Sequence, residues 1–182
     1  SNEMFLRRSH PYTEYGYYFI TDSPSEIMNL ASMGAPSGDP EELVSSFTDY
    51  AHHEKRNRNL IQSGQEWVGE YFDVKLRHVL NFNFPNVIAD EPVRIKGDFV
   101  SRASYQSSFS VASADQKILS VNIPSVDYNY TGYFARSNSS YGSYFPNLNS
   151  DQLSLEVIYD KGTASAQGWL NYLTVNAIRE VT

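Results

Sequence analysis

The chain has 182 residues, no cysteine and a net charge of −7. It is long enough for one well-filled domain, holds no disulfide and no thiolate nucleophile, and lacks the basic stripe that nucleic acid would need. Aromatics make up 14% of residues, with 14 Tyr against 2 Trp among many Ser and Asn, a composition typical of β-rich exported surfaces.

No apolar run could cross a bilayer as a helix, and no signal peptide is visible. The opening Ser1-Asn2 resembles a scar of tag removal, so the missing signal says nothing about localisation. Residues 15–20, YGYYFI, read as a short strand. A Pro-, Gly-, Ser- and Asp-rich loop follows, with a helical turn fitting at residues 26–30. The strand at 15–20 has no hairpin mate nearby. Its unpaired backbone groups predict docking on the main domain, with residues 32–39 crossing as an exposed loop. ELVSSFTDYAHHEK fits either a strand or a helix by periodicity; Thr, Tyr and Phe at its centre favour the strand.

NRNLIQSGQEWVGEYF reads as a loop leading into a strand. From there the strand signals become regular. VLNFNF (79–84) alternates and stops at Pro85. In PVRIKGDFVSRAS, Val93, Ile95, Gly97 and Phe99 share a face. SSFSVA (107–112), the turn SADQK and ILSVNIP (118–124) form a hairpin. TGYFARS and YGSYFP make a weaker pair. QLSLEVIYDKG aligns Leu153, Leu155, Val157 and Tyr159 and ends in the turn Asp160-Lys161-Gly162. The last strand, SAQGWLNYLTVNAIRE, is apolar on both faces. Steps of two put Trp169, Leu173, Val175 and Ala177 on one face, with Leu170, Tyr172, Thr174 and Ile178 on the other. Many short strands joined by turns predict an all-β fold. It is an antiparallel β-sandwich, jelly-roll-like, over residues 61–182, with an N-terminal extension at 1–60. The extension either docks on the sandwich or belongs to a preceding domain.

Candidate chemistry is sparse. His52 and His53 are adjacent, so on a strand they face opposite ways and do not share an ion; a solvated strand end is the favoured reading. No zinc-peptidase, nucleophile-elbow or phosphate-loop motif is present, and no catalytic residue, metal or cofactor is expected. DYNYTGYFARSNSSYGSY sets Tyr128, Tyr130, Tyr133, Tyr141 and Tyr144 among Asn and Ser. Such tyrosines suit a glycan- or partner-binding surface, but half-buried strand tyrosines explain them more simply.

Three stretches, in order, carry a resemblance: FTDYAHHEKRNRNLIQSGQEWVGEYF (47–72), the strands around PVRIKGDFVSRAS, and SAQGWLNYLTVNAIRE. The spacing of Glu54, Ser63, Gly64, Trp67, Gly69 and Glu70 is the most specific part. Together they resemble the region preceding the catalytic domain in the PorU family of type IX secretion system sortases of Bacteroidota, which are gingipain-like cysteine peptidases. The resemblance implies a fragment that stops where a peptidase domain would begin. It implies an accessory sandwich that braces or orients that downstream domain in the same parent chain, and that contacts other secretion components at the outer-membrane surface. That family's nucleophile lies in the peptidase domain, and no catalytic residue carries over to this cysteine-free chain. Trp67, Phe72 and Trp169 are expected to be structural. Gly64 and Gly69 are expected to take backbone conformations closed to other residues, and Gly168 to allow a close strand approach. The alternative function, from the same sandwich, is a carbohydrate-binding module; an exposed aromatic platform would distinguish it.

Overall fold

The computed structural model describes residues 4–6, 43–62, 66–114, 116–129, 132–146 and 151–181. The expected strand at 15–20, the loop at 32–39, and Tyr130, Ser63 and Gly64 lie outside these residues. Every regular element among the described residues is a β-strand. Eight are long: β1 (Ser46–Glu54), β5 (Arg77–Asn83), β6 (Val93–Arg102), β7 (Ser107–Ser113), β8 (Gln116–Ile123), β9 (Arg136–Tyr144), β10 (Gln152–Asp160) and β11 (Gln167–Glu180). Three have two residues each: β2 (Arg58–Asn59), β3 (Trp67–Val68) and β4 (Tyr71–Phe72).

One large sheet runs β1-β11-β6-β9 with β4 also on β11, a second runs β5-β10-β7-β8, and β2 and β3 form a small two-stranded sheet. All pairs are antiparallel. Among the long strands the first pairs with the last, β5 with β10, β6 with β9, and β7 with β8. That nesting is a long hairpin folded over on itself, the jelly-roll solution to closing a β-domain. Alternation explains the packing: Val93, Ile95 and Phe99 of β6 and Leu153, Leu155, Val157 and Tyr159 of β10 meet in one core. At its centre the rings of Phe99, Phe109 and Tyr159 stack in sequence, with centroids 4.8 and 4.4 Å apart.

The strand preferred over a helix within the stretch 42–55 is β1. It pairs with β11 from Ser46↔Glu180 to Glu54↔Tyr172, so residues 46–54 of the N-terminal extension form part of the sheet. The expected hairpin of 107–123 is β7–β8, with Ser113 opposite Gln116. The weak pair predicted around TGYFARS and YGSYFP is instead one strand, β9, laid along β6. Serines and asparagines with low strand propensity hide it; pairing to a strong neighbour makes it.

β11 departs from simple alternation. Its register with β6 shifts between Leu170 and Tyr172, leaving Asn171 as an extra residue. Leu170 and Leu173 therefore both enter the main core, and Trp169 turns to the outer face. There Trp169 is buried against Val68, Val100, Leu60 and Ala135, a second small cluster. The bulge falls where β4 hands over to β1 along the same edge of β11.

The two sides of the sandwich close differently. On one, β9 lies against β8: a Cβ on Gly142 would stand 2.5 Å from the Ile118 carbonyl oxygen, and the Asn138 amide donates to the Asn122 carbonyl at 3.0 Å. Only glycine permits that backbone approach. On the other side, β1 and β5 are separated by side chains, with His53 edge-on to Phe82.

Candidate functional site

The tyrosine-rich stretch does not form one surface. Tyr128 and Tyr133 sit on the loop between β8 and β9, both more than half exposed. With Asp127, Asn129, Phe134 and Arg102 they line a pocket of about 440 Å³. Arg102 emerges from the end of β6 with Tyr128 and Phe134 within cation–π reach, at 5.0 and 4.0 Å from its guanidinium carbon. Arg136 stands 3.8 Å from the Tyr133 ring centre. The loop is tied down where Val126 N–H bonds the Ala103 carbonyl. Asp127 and Asn129 give this pocket a polar border beside its aromatic rings.

Tyr141 projects from the outer face of β9, with the Lys96 ammonium 4.9 Å from its ring centre. Tyr144 lies three residues on and points the other way, into the core, where it is 4% exposed. An odd spacing on a strand reverses the face, so these two cannot share a platform.

The outer face of the first sheet is polar and aromatic. His52 stacks on Tyr172 at 5.4 Å and bonds the Thr174 hydroxyl at 2.8 Å. Asp98 accepts from the bulge residue Asn171 at 3.0 Å, and burial pushes its carboxyl above the ordinary carboxylate range.

His53, on the opposite face of β1, points inward, as adjacency on a strand requires. Neither histidine is at a solvated strand end: the side chains are 8% and 23% exposed. His53 Nε2–H donates to Glu70 Oε1 at 2.8 Å, and Lys55 Nζ reaches the same oxygen at 3.0 Å. Burial of Glu70 would raise its pKa, but these two donors outweigh burial and hold it down to about 2. The cluster borders a pocket of about 580 Å³ with Arg58, Tyr71, His78 and Trp169. In the sequence Glu54 and Glu70 stand out only by their spacing and the histidines only by their adjacency, and neither pattern brings His53 to Glu70. Their meeting depends on β1 and the β3–β4 segment both lying on β11, which no local pattern announces.

Of the residues expected to be structural, Phe72 and Trp169 are buried, but Trp67 is 42% exposed. β3 alternates so that Val68, not Trp67, covers Trp169. Gly69 is not among the positive-φ residues, so the backbone conformation closed to other residues expected of it is not a left-handed one; a Cβ there would stand 3.0 Å from Lys55, so close approach is its role. At Gly168 the close neighbours are the rings of Phe109 and Tyr159 from the facing sheet, 2.7 and 3.0 Å from a built Cβ. Among the described residues no group of three or more His, Cys, Asp or Glu side chains could hold a metal ion.

No protein-family model matches the chain, and no curated protein is similar to it at a significant level. Among solved structures it is similar to dimeric latent PorU from Porphyromonas gingivalis, with a TM-score of 0.65 at 16% identity. The match covers 78% of this chain but only 14% of the PorU chain, so this chain corresponds in length to a small part of that protein. More distant likenesses are a carbohydrate-binding module of Cellvibrio mixtus lichenase 5A in complex with cellotriose (TM-score 0.36, 9% identity, 78% of this chain, 92% of the module) and the insecticidal δ-endotoxin Cry8Ea1 of Bacillus thuringiensis (TM-score 0.38, 12% identity, 57% and 18%). What is common to this chain and the PorU portion is the fold, an antiparallel β-sandwich.

Proposed function

We propose that the chain is a non-catalytic accessory β-sandwich of a PorU-like cell-surface protein, working at the outer-membrane surface by bracing or orienting a cysteine peptidase domain of the same polypeptide. The observation that carries this reading is the fold likeness to one portion of PorU across 78% of the chain. The absence of cysteine fits a part that leaves catalysis to its neighbour. A surface for such a neighbour is available around β3, β4 and β5, where Trp67, Tyr71 and Val79 are partly or largely exposed. The decisive experiment reads the parent polypeptide for a cysteine peptidase domain and titrates the chain against that domain while following association and hydrolysis. The expected result is saturable binding weakened by Val79→Asp, with no hydrolysis by the accessory chain alone. A parent polypeptide without a peptidase domain, or no association, overturns the reading.

The second reading, a carbohydrate-binding module, draws on the loop pocket, where Tyr128, Tyr133, Asp127 and Asn129 offer aromatic and polar contacts together. A glycan array distinguishes the two: binding abolished by Tyr133→Ala favours the glycan, and an empty array favours the brace.

A further inference from the structure

The outer face of the first sheet carries a notch built around Asn176. This residue lies on the central strand β11, directly between Tyr50 of β1 and Arg94 of β6. It points outward, yet it is only 2% exposed. What covers it is the main chain of Phe5. Phe5 N–H donates to Asn176 Oδ1 at 2.8 Å, and Asn176 Nδ2 donates to the Phe5 carbonyl at 3.3 Å. One carboxamide thus satisfies both the donor and the acceptor of a single peptide residue, as a neighbouring strand would. The Phe5 ring rests beside Tyr50, with centroids 6.1 Å apart.

The two contacts read different things. Asn176 reads an extended backbone, whatever its sequence; Tyr50 reads an aromatic side chain. Division between main-chain bonds that hold and a side-chain contact that selects is the logic by which sheets take up peptide strands, here applied to a sheet face instead of an edge. Phe5 and Leu6 remain about half exposed, at 53% and 46%. Among the described residues the hold is therefore concentrated in the Asn176 clamp and one ring contact, with about half of the Phe5 and Leu6 surface left open.

We propose that the Asn176–Tyr50 notch is a discrete binding site for an extended peptide bearing an aromatic residue, and that the chain's own N-terminal segment, Met4–Leu6, is its tethered occupant. A tethered occupant whose side chains stay about half exposed exchanges with the same segment supplied free in solution. The site is separate from the loop pocket and from the β3–β5 surface of the proposed function, so it stands or falls independently of that reading.

The test uses the full chain. Phe5→Pro removes both the backbone N–H that Asn176 accepts and the ring beside Tyr50, and so empties the notch without altering the sheet. A fluorescein-labelled peptide of residues 1–8 is titrated against the Phe5→Pro chain and the wild type by anisotropy. The expected result is saturable binding to the Phe5→Pro chain and weaker uptake by the wild type, whose own segment competes. N-methylation of the Phe amide in the peptide is expected to lower affinity at least about tenfold, because it removes the donor to Asn176 while leaving the protein untouched. Absence of saturable binding to the Phe5→Pro chain, equal binding to the wild type, or indifference to N-methylation each overturns the proposal.

Discussion

The hydroxyls of Tyr159 and Ser101 lie 2.7 Å apart inside the sandwich, joining β10 of one sheet to β6 of the other. Ser107 donates to Ser101 at 2.7 Å, and the Tyr159 hydroxyl also lies 3.3 Å from the Gln167 carbonyl. Burial pushes the Tyr159 hydroxyl above its ordinary pKa, so it stays neutral and able to donate. Tyr159→Phe keeps the stacked ring and strands the serines. It is expected to lower stability by about 1–2 kcal/mol. Ser101→Ala should lower it similarly, and the double variant by less than the sum. Urea unfolding of the three variants checks this.

Trp169 gives a sharper contrast. It is 1% exposed in the small outer cluster, and its indole N–H has no hydrogen-bond partner. Trp169→Ala should destabilise the domain by about 3–5 kcal/mol, as large aromatic deletions do. Trp169→Phe, which fills most of the space and removes the unpaired N–H, should lose far less. Tyr141→Ala, on the exposed face of β9, should also lose far less. Equal denaturation midpoints for wild type and Trp169→Ala would show that the outer cluster contributes no stability.

Acid should act through Glu70. Its folded pKa of about 2 lies below the ordinary value of 4.5. A depressed carboxylate contributes stability that is complete above the unfolded pKa and is lost as pH falls toward the folded one. The wild type should therefore lose stability between about pH 4.5 and about pH 2, and Glu70→Gln should show a shallower loss across that window. Thermal melts at stepped pH read the difference; parallel curves would remove Glu70 from the account. Glu54 is also held low, by Arg56 and His52 against its burial, so some acid sensitivity remains in the variant.

Gly142 governs the closed side. Gly142→Ala would press a methyl against the backbone of Ile118, which cannot swing away as a side chain can. The variant should lose about 1–3 kcal/mol, the range for overpacking, with faster amide exchange in β8 and β9. Unchanged exchange there would mean that the sheets separate without cost.

Much of this architecture was legible along the chain, because a strand buried on one face writes its period of two into the sequence. Leu153, Leu155, Val157 and Tyr159 face the core as their alternation requires. β11 was recognisable as a strand, but its phase was not. Both faces are apolar, so nothing in the composition marks Asn171 as an inserted residue that turns Trp169 outward. β9 was obscured by its Ser, Asn and Gly content, which becomes a strand only beside β6. The tyrosines divided for a reason available in their spacing: Tyr141 and Tyr144 differ by three. The His53–Glu70 contact was beyond reach, since it joins residues that meet only once β1 and β4 have taken neighbouring stretches of the same strand.

The pairing of the first long strand with the last also has a mechanical meaning. Ser46 lies opposite Glu180, and Val181 N–H bonds the Ser45 carbonyl at 2.9 Å, so the polypeptide enters and leaves the sandwich at the same corner. Tension drawn between those two points loads the ladder one bond at a time, peeling β1 from β11 like a zipper instead of shearing all its bonds together. A domain tethered in this way yields at low force and is easily spliced as a side-loop into a host chain, hanging off it without lengthening its path.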